Sequence, residues 1–153
     1  MRRCPSCGNS DWVEIESEFE DVICGRTFKA VGPAWRCSSC GEELFEDAAV
    51  GAFELAVAAD LALHGPANGE AFRYLRKAVG LPAKELADLL GVTPETVSRW
   101  ENGKLPLERR ALALLASIVL ERVEGESSTL DRLRGLLEPS RPPRVTRLKL
   151  RPV

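Results

Sequence analysis

The sequence predicts an α+β fold in two unequal parts, a small β-rich N-terminal domain followed by an all-α domain. Three observations carry this expectation. Two C-x-x-C pairs, Cys4/Cys7 and Cys37/Cys40, bracket a stretch in which apolar and polar residues alternate, the period of half-buried strands. Beyond residue 70 the apolar residues recur three and four positions apart, and Gly or Pro punctuates each run, the pattern of short amphipathic helices. Between the two lies the breaker HGPANG at 64–69, which reads as a linker. The predicted divisions are 1–65, 66–138 and a basic, Pro-rich tail at 139–153.

In the first part, residues 12–16 (WVEIE) alternate as a strand does. Residues 22–24 and 27–31 are two more candidate strands, with turn signals at Gly25 and at Gly32-Pro33. From about Glu46 to Leu63 the chain is rich in Ala, Leu and Val and reads as a helix. In the second part, Phe72, Leu75 and Val79 mark a helix ended by Gly80. Pro82 opens another carrying Leu86, Leu89 and Leu90, ended by Gly91. A third begins at the N-cap Thr93 with Pro94 in its first turn and stops at Gly103. The fourth, from Pro106 to about Val123, is apolar on two faces, Leu112/Leu115/Val119 and Ala111/Leu114/Ile118. One core needs one such face, so the second requires a further cover. Leu130, Leu133 and Leu137 mark a last helix, and residues 145–151 partly alternate, as a strand or a disordered segment would.

The cysteines define a chemistry. A C-x-x-C turn aims two thiolates at one ion, and two such turns complete a tetrahedral S₄ site. Gly8 and Gly41 follow the pairs and let backbone amides turn toward sulfur without a Cβ clash. Four thiolates leave no open position for a catalytic water, so Cys4, Cys7, Cys37 and Cys40 are expected to hold one structural Zn²⁺. A part with so few large apolar side chains needs such a staple to fold. Cys24, on a candidate strand, reads as a buried small hydrophobe. His64, the single histidine, reads as a helix-end residue. No Ser/His/Asp or Cys/His set is present for hydrolysis, and a redox C-x-x-C would want a βαβ setting. No catalytic residue and no small-molecule substrate are expected.

Charge is distributed unevenly behind a net −2. Residues 1–65 hold twelve acids and five bases, residues 66–138 eleven of each, and the last fifteen residues five bases and no acid. The local field, not the net charge, governs each contact, so the acidic and basic parts are expected to face different partners. The absence of a long apolar run or signal-like start leads to the expectation of a cytoplasmic protein without a membrane association.

Residues 81–103 form a helix, a tight Gly-containing turn and a second helix. That arrangement places its second helix in the DNA major groove. Val97 and Trp100 are the only apolar residues of 93–103, so most of this helix is left for another surface. The base-edge candidates are Glu95, Thr96 and Arg99, and the phosphate candidates are Lys84, Thr93, Asn102 and Lys104.

Residues 86–103, LADLLGVTPETVSRWENG, resemble the Xre/Cro-type helix-turn-helix, with Leu86, Ala87, Gly91, Val92, Val97, Ser98, Trp100, Glu101 and Gly103 at its marked positions. Ala83 departs from it where a phosphate-contacting Gln is usual; Lys84 stands beside that position. The order C-P-x-C-G, β-rich spacer, C-x-x-C-G-E, helix and Xre-type domain, over residues 1–123, is similar to the MqsA antitoxins with their YgiT-type zinc finger. That resemblance implies a zinc domain that binds a ribonuclease toxin and a helical domain that dimerises and represses its operon. The expectation is a homodimeric, non-enzymatic antitoxin and repressor of a type II toxin-antitoxin system, binding double-stranded DNA at a palindrome. The alternative is a stand-alone zinc-containing helix-turn-helix regulator without a toxin partner.

Overall fold

The computed structural model describes residues 3–138, 141 and 143–150. Strands β1 (Trp12–Ile23), β2 (Arg26–Cys37) and β3 (Glu43–Phe45) form an antiparallel sheet in the order β1-β2-β3. Six helices follow among the described residues: α1 (Asp47–His64), α2 (Gly69–Ala78), α3 (Ala83–Leu90), α4 (Pro94–Glu101), α5 (Arg109–Val123) and α6 (Ser128–Leu137). The α+β class holds, and all six helices lie where the spacing predicts them.

The strands depart from expectation. Residues 12–23 and 26–37 are two long strands paired throughout, from Trp12↔Cys37 to Ile23↔Arg26. The turn between them is Cys24-Gly25, both at positive φ (52° and 72°), as a two-residue type I′ hairpin requires. Cys24 is therefore a half-buried turn residue rather than a buried strand residue. Its N–H donates to Glu70 Oε1 at 2.9 Å.

Gly32 and Pro33 make no turn; both lie inside β2. Gly32 is small because Phe19 crosses over it: a Cβ there would sit 2.8 Å from the Phe19 ring. The crossing brings Phe19 to 4.0 Å from Phe45, centroid to centroid. In a two-residue hairpin, pairs alternate between hydrogen-bonded and not, starting from the hydrogen-bonded Ile23/Arg26. Pro33 opposite Glu16 then falls where its missing N–H would point away from β1, beyond the last residue that β3 pairs, Ala34. A proline costs nothing at that position.

Alternation along β1 gives the sheet two unlike faces. Glu14, Glu16, Glu18 and Glu20 line the outer one, all exposed. Ile15, Ser17 and Phe19 line the inner one, facing α1, where Phe53 stacks on Phe19 at 5.5 Å.

The main core is helical and includes α1. Val57, Ala58 and Leu61 of α1 are buried in one cluster with Phe72, Leu75, Leu86, Val97, Trp100, Leu115, Ile118 and Val119. By sequence α1 attaches to the cysteine-bearing segment; in the structure it packs on α5 and α2. The hairpin tip is tied to the same core: Ile23, Cys24 and Phe28 pack against it, and Arg26 Nη1 donates to Asp60 Oδ1 at 2.6 Å.

Leu130 of α6 is buried and Leu133 packs beside it, but Leu136 (76 %) and Leu137 (52 %) are exposed. Over 145–150 there is neither helix nor strand. Arg151, the end of the alternating stretch, lies outside the described residues. No helix is long and apolar enough to cross a membrane among the described residues.

Candidate metal centre and nucleic-acid interface

The four cysteines come together from the two ends of the hairpin. Register opposes Trp12 to Cys37, so the turn before β1 and the turn after β2 lie side by side. Each turn has the same backbone plan. Cys4 N–H donates to Asn9 O and Gly8 N–H to Cys4 O; Cys37 N–H donates to Glu42 O and Gly41 N–H to Cys37 O, all between 2.8 and 3.0 Å. Gly8 and Gly41 take φ of 77° and 76°, which closes each turn at no steric cost. The turns are cross-linked by Ser38 N–H to Asp11 O at 3.0 Å and by Ser6 Oγ to Glu42 Oε2 at 2.9 Å.

All four Sγ atoms lie within 4.8 Å of one another. Cys4 to Cys40 is 3.5 Å and Cys7 to Cys37 is 3.6 Å, against about 3.8 Å for the edge of a tetrahedral zinc tetrathiolate. The donor set fits a metal ion of that kind. Its electrostatics agree. The amides of Cys40 and Ser39 hold the Cys37 thiol down to about 7. Although the Glu42 amide pulls the other way, contact with Cys7, burial and contact with Cys4 push Cys40 up to about 12. Four crowded thiols cannot all ionise alone; a divalent cation at their centre removes the conflict.

This part has little else to hold it. Among described residues 3–45, only Cys4, Phe19, Ala34 and Cys37 are buried, and two of those four belong to the cysteine cluster.

The second site is built on α3 and α4. Leu86 and Ala87 are buried at 1 % and 0 %. Gly91, at φ 66°, ends α3 in the left-handed region, and Val92 N–H returns to Ala87 O at 3.0 Å, a helix stop that turns the chain sharply. Thr93 caps α4, its Oγ1 accepting from Thr96 N–H at 3.2 Å. Val97 and Trp100 are buried, and Trp100 meets Phe72 edge-on at 5.9 Å.

At its other end α4 is clamped by a pair that the motif reading did not single out. Arg76 of α2 forks onto Glu101, Nε to Oε1 at 2.6 Å and Nη2 to Oε2 at 3.1 Å, while Nη1 donates to Leu81 O at 2.9 Å. Both side chains are buried, at 10 % and 8 % exposure. Three satisfied donors on a bidentate pair make this a strong contact, and leaving either partner alone in such a site costs about 3–5 kcal/mol. Gly69 completes the fit. A Cβ there would collide with the backbone of Trp100 and Glu101, so α2 starts directly against the end of α4.

With both ends fixed, α4 presents Glu95, Ser98, Arg99 and Asn102 to solvent, one face at i, i+3, i+4 and i+7. Thr96 is half-buried and its hydroxyl lies 3.0 Å from that of Thr93. Asn102 Nδ2 donates to Ser98 O at 2.8 Å and so closes the C-terminal end of α4. Lys84, in the first turn of α3, and Lys104, just after α4, are exposed. Ser98 belongs to the outward stripe but was absent from the sequence-derived contacts; its i+3 spacing from Glu95 is the signal that finds it.

Removal of the metal should release the hairpin and spare the helices. With a chelator, or at acid pH where the thiolates are protonated and lost as ligands, the β signal and the proximity of Trp12 to Cys37 should disappear while α1 to α6 keep their helicity. Circular dichroism with amide-resolved NMR reads both. Loss of the α1 signals along with those of the hairpin would show that α1 depends on the metal after all.

No curated protein matches this chain. Residues 72–118, from Phe72 in α2 to Ile118 in α5, match the family model described as helix-turn-helix. The matched span contains α3, the Gly91 turn and α4.

Proposed function

We propose that the protein is a non-enzymatic, homodimeric transcriptional repressor of the antitoxin type, with one structural Zn²⁺ on Cys4, Cys7, Cys37 and Cys40. The observation that carries the DNA-binding part is α4 itself. A helix with two buried side chains, capped by Thr93 and clamped through Glu101, keeps a polar face free and holds it still. A reading helix needs that rigidity, because base contacts are specified to within fractions of an ångström.

In this reading the N-terminal turn of α4 enters the major groove. Arg99 bonds bidentately to guanine, Glu95 accepts from cytosine N4, and Thr96 touches a thymine methyl. Ser98 lies on the same face. Lys84, Thr93, Asn102 and Lys104 lie along the phosphates, and a palindromic operator engages two copies related by a two-fold axis. The exposed Leu136 and Leu137 of α6 supply apolar surface for that pairing within the helical half. Net acidity is no obstacle, since the outer carboxylates of β1 sit on the sheet and not on α4.

The antitoxin reading rests on the acidic N-terminal part and on the family resemblance of residues 1–123. Four glutamates on one face of β1 attract a cationic surface and raise association rates with it, and a ribonuclease toxin, which binds nucleic acid, has such a surface. The same sheet would serve a stand-alone regulator that binds a different basic protein. Capture from the native host separates the two readings: a small basic ribonuclease retained by the full chain, but not by a chain beginning at residue 46 that lacks the sheet and keeps α1 in the helical core, supports the antitoxin. Full retention by the shorter chain overturns the assignment of the partner to the sheet.

The DNA contacts have their own test. Arg99→Ala should cost about 1–3 kcal/mol per half-site and relax the base preference at one position. Lys104→Ala should weaken all sequences alike and flatten the salt dependence. Fluorescence anisotropy with specific and scrambled duplexes measures both. An Arg99→Ala variant that binds as tightly and as selectively as the parent removes α4 from the groove.

A further inference from the structure

The sheet has an open edge. β2 lies between β1 and β3, so no strand among the described residues pairs with the other edge of β1. The hairpin register tells which groups face that side. Counting from the closing pair Ile23/Arg26, the odd-numbered residues of β1 bond to β2 and the even-numbered ones point outward. Val22 agrees: its N–H, finding no strand, takes Asp21 Oδ1 at 2.8 Å. The outward-pointing amides are therefore those of Glu14, Glu16, Glu18 and Glu20. A long open edge of this kind is normally covered or blunted.

A cavity of about 440 Å³ opens below that edge, between the inner face of the sheet and α1. Phe19, Val50 and Phe53 form an apolar floor, and Glu18, Glu20 and Glu54 an acidic rim. Lys29 answers Glu18 and Glu20 at 3.1 and 2.6 Å. Glu14 and Glu16 have no ion pair among the described residues.

The C-terminal segment is complementary to both features. Val145, Leu148 and Leu150 are 79 %, 78 % and 89 % exposed, and no helix or strand forms there. Leu148 and Leu150 alternate with Arg147 and Lys149. Laid beside β1 as a strand, this stretch puts its two bases on the glutamate face. The same registration puts Leu148 and Leu150 on the face of Ile15 and Phe19, at the mouth of the cavity. A strand slipped by one residue would set leucine against glutamate and arginine against the apolar floor, so one registration of faces is selected.

Within one copy the segment stands away from the sheet, with its leucines in solvent. We propose that residues 145–150 of one copy add as a strand to the free edge of β1 of a second copy. Reciprocal exchange closes with two-fold symmetry and leaves neither edge open. This inference goes beyond the operator reading and stands without it, because the exchange needs no DNA.

The test uses the metal-loaded full chain and a chain ending at residue 143, with amide exchange and sedimentation followed over a dilution series. In the full chain the amides of Glu14 to Glu20 at even positions should exchange about tenfold more slowly when concentrated than when dilute, while Ile15, Ser17 and Phe19 stay protected throughout. The shortened chain should show no such dependence and should dissociate at about tenfold higher concentration or more. Arg147→Glu with Lys149→Glu should behave like the shortened chain. Mixing that variant with Glu14→Lys/Glu16→Lys should restore association between the two. Edge protection that does not depend on concentration would assign the strand to the same copy and overturn the proposal. Unprotected edge amides at every concentration would do so too, as would a shortened chain that loses only DNA affinity.

Discussion

The buried pair of Arg76 and Glu101 sets where α4 stands, and the candidate DNA interface depends on that placement. Eight residues with an apolar stripe of Val97 and Trp100 bury too little to fix a helix in rotation and tilt. The guanidinium supplies the missing constraint because it is planar and forked: it holds both carboxylate oxygens of Glu101 and the carbonyl of Leu81 at once. A lysine would reach the charge but not the geometry. Thr93 fixes the other end, and Gly69 allows α2 to approach. The polar face of α4 is then free of structural duty except at Ser98 and Asn102, which bond to each other.

The N-terminal part is stabilised on a different principle. Its hairpin is long, but apart from Phe19 and Ala34 its buried residues are cysteines of the cluster. One end is closed by the cysteines; the other is held by Cys24 on Glu70 and Arg26 on Asp60. Between these ends Phe19 lies across Gly32 to reach Phe45 and Phe53, the only aromatic cluster in the sheet among the described residues. The helical part needs no such staple, since α1, α2 and α5 share one core. The hairpin tip therefore joins the cysteine end to α2, the helix that clamps α4.

Helix positions were legible because each carries its own punctuation: Thr93-Pro94 at one start, Gly80, Gly91 and Gly103 at stops. The cysteine cluster was legible because two identical turns imply one ion. Strand length was not, since Gly32-Pro33 is a turn signal by type and a packing device in place; only the ring of Phe19 and the end of β3 explain why both sit in a strand. β3, three residues long, has too short a period to register. The partner of α1 was hidden for another reason. Its spacing shows an apolar helix but not which neighbour buries it. The Arg76–Glu101 pair escaped because charge at helical spacing reads as solvated surface, and burial is a tertiary fact.

The central claim is that α4, held in this way, reads a specific two-fold operator. Selection of bound duplexes from a random pool, using the metal-loaded full chain, tests it most directly. The account predicts enrichment of an inverted repeat with half-sites about one helical turn apart, including a guanine in each that is no longer enriched with the Arg99→Ala chain. A pool that stays random in sequence, or that enriches the same site with Arg99→Ala, would contradict it.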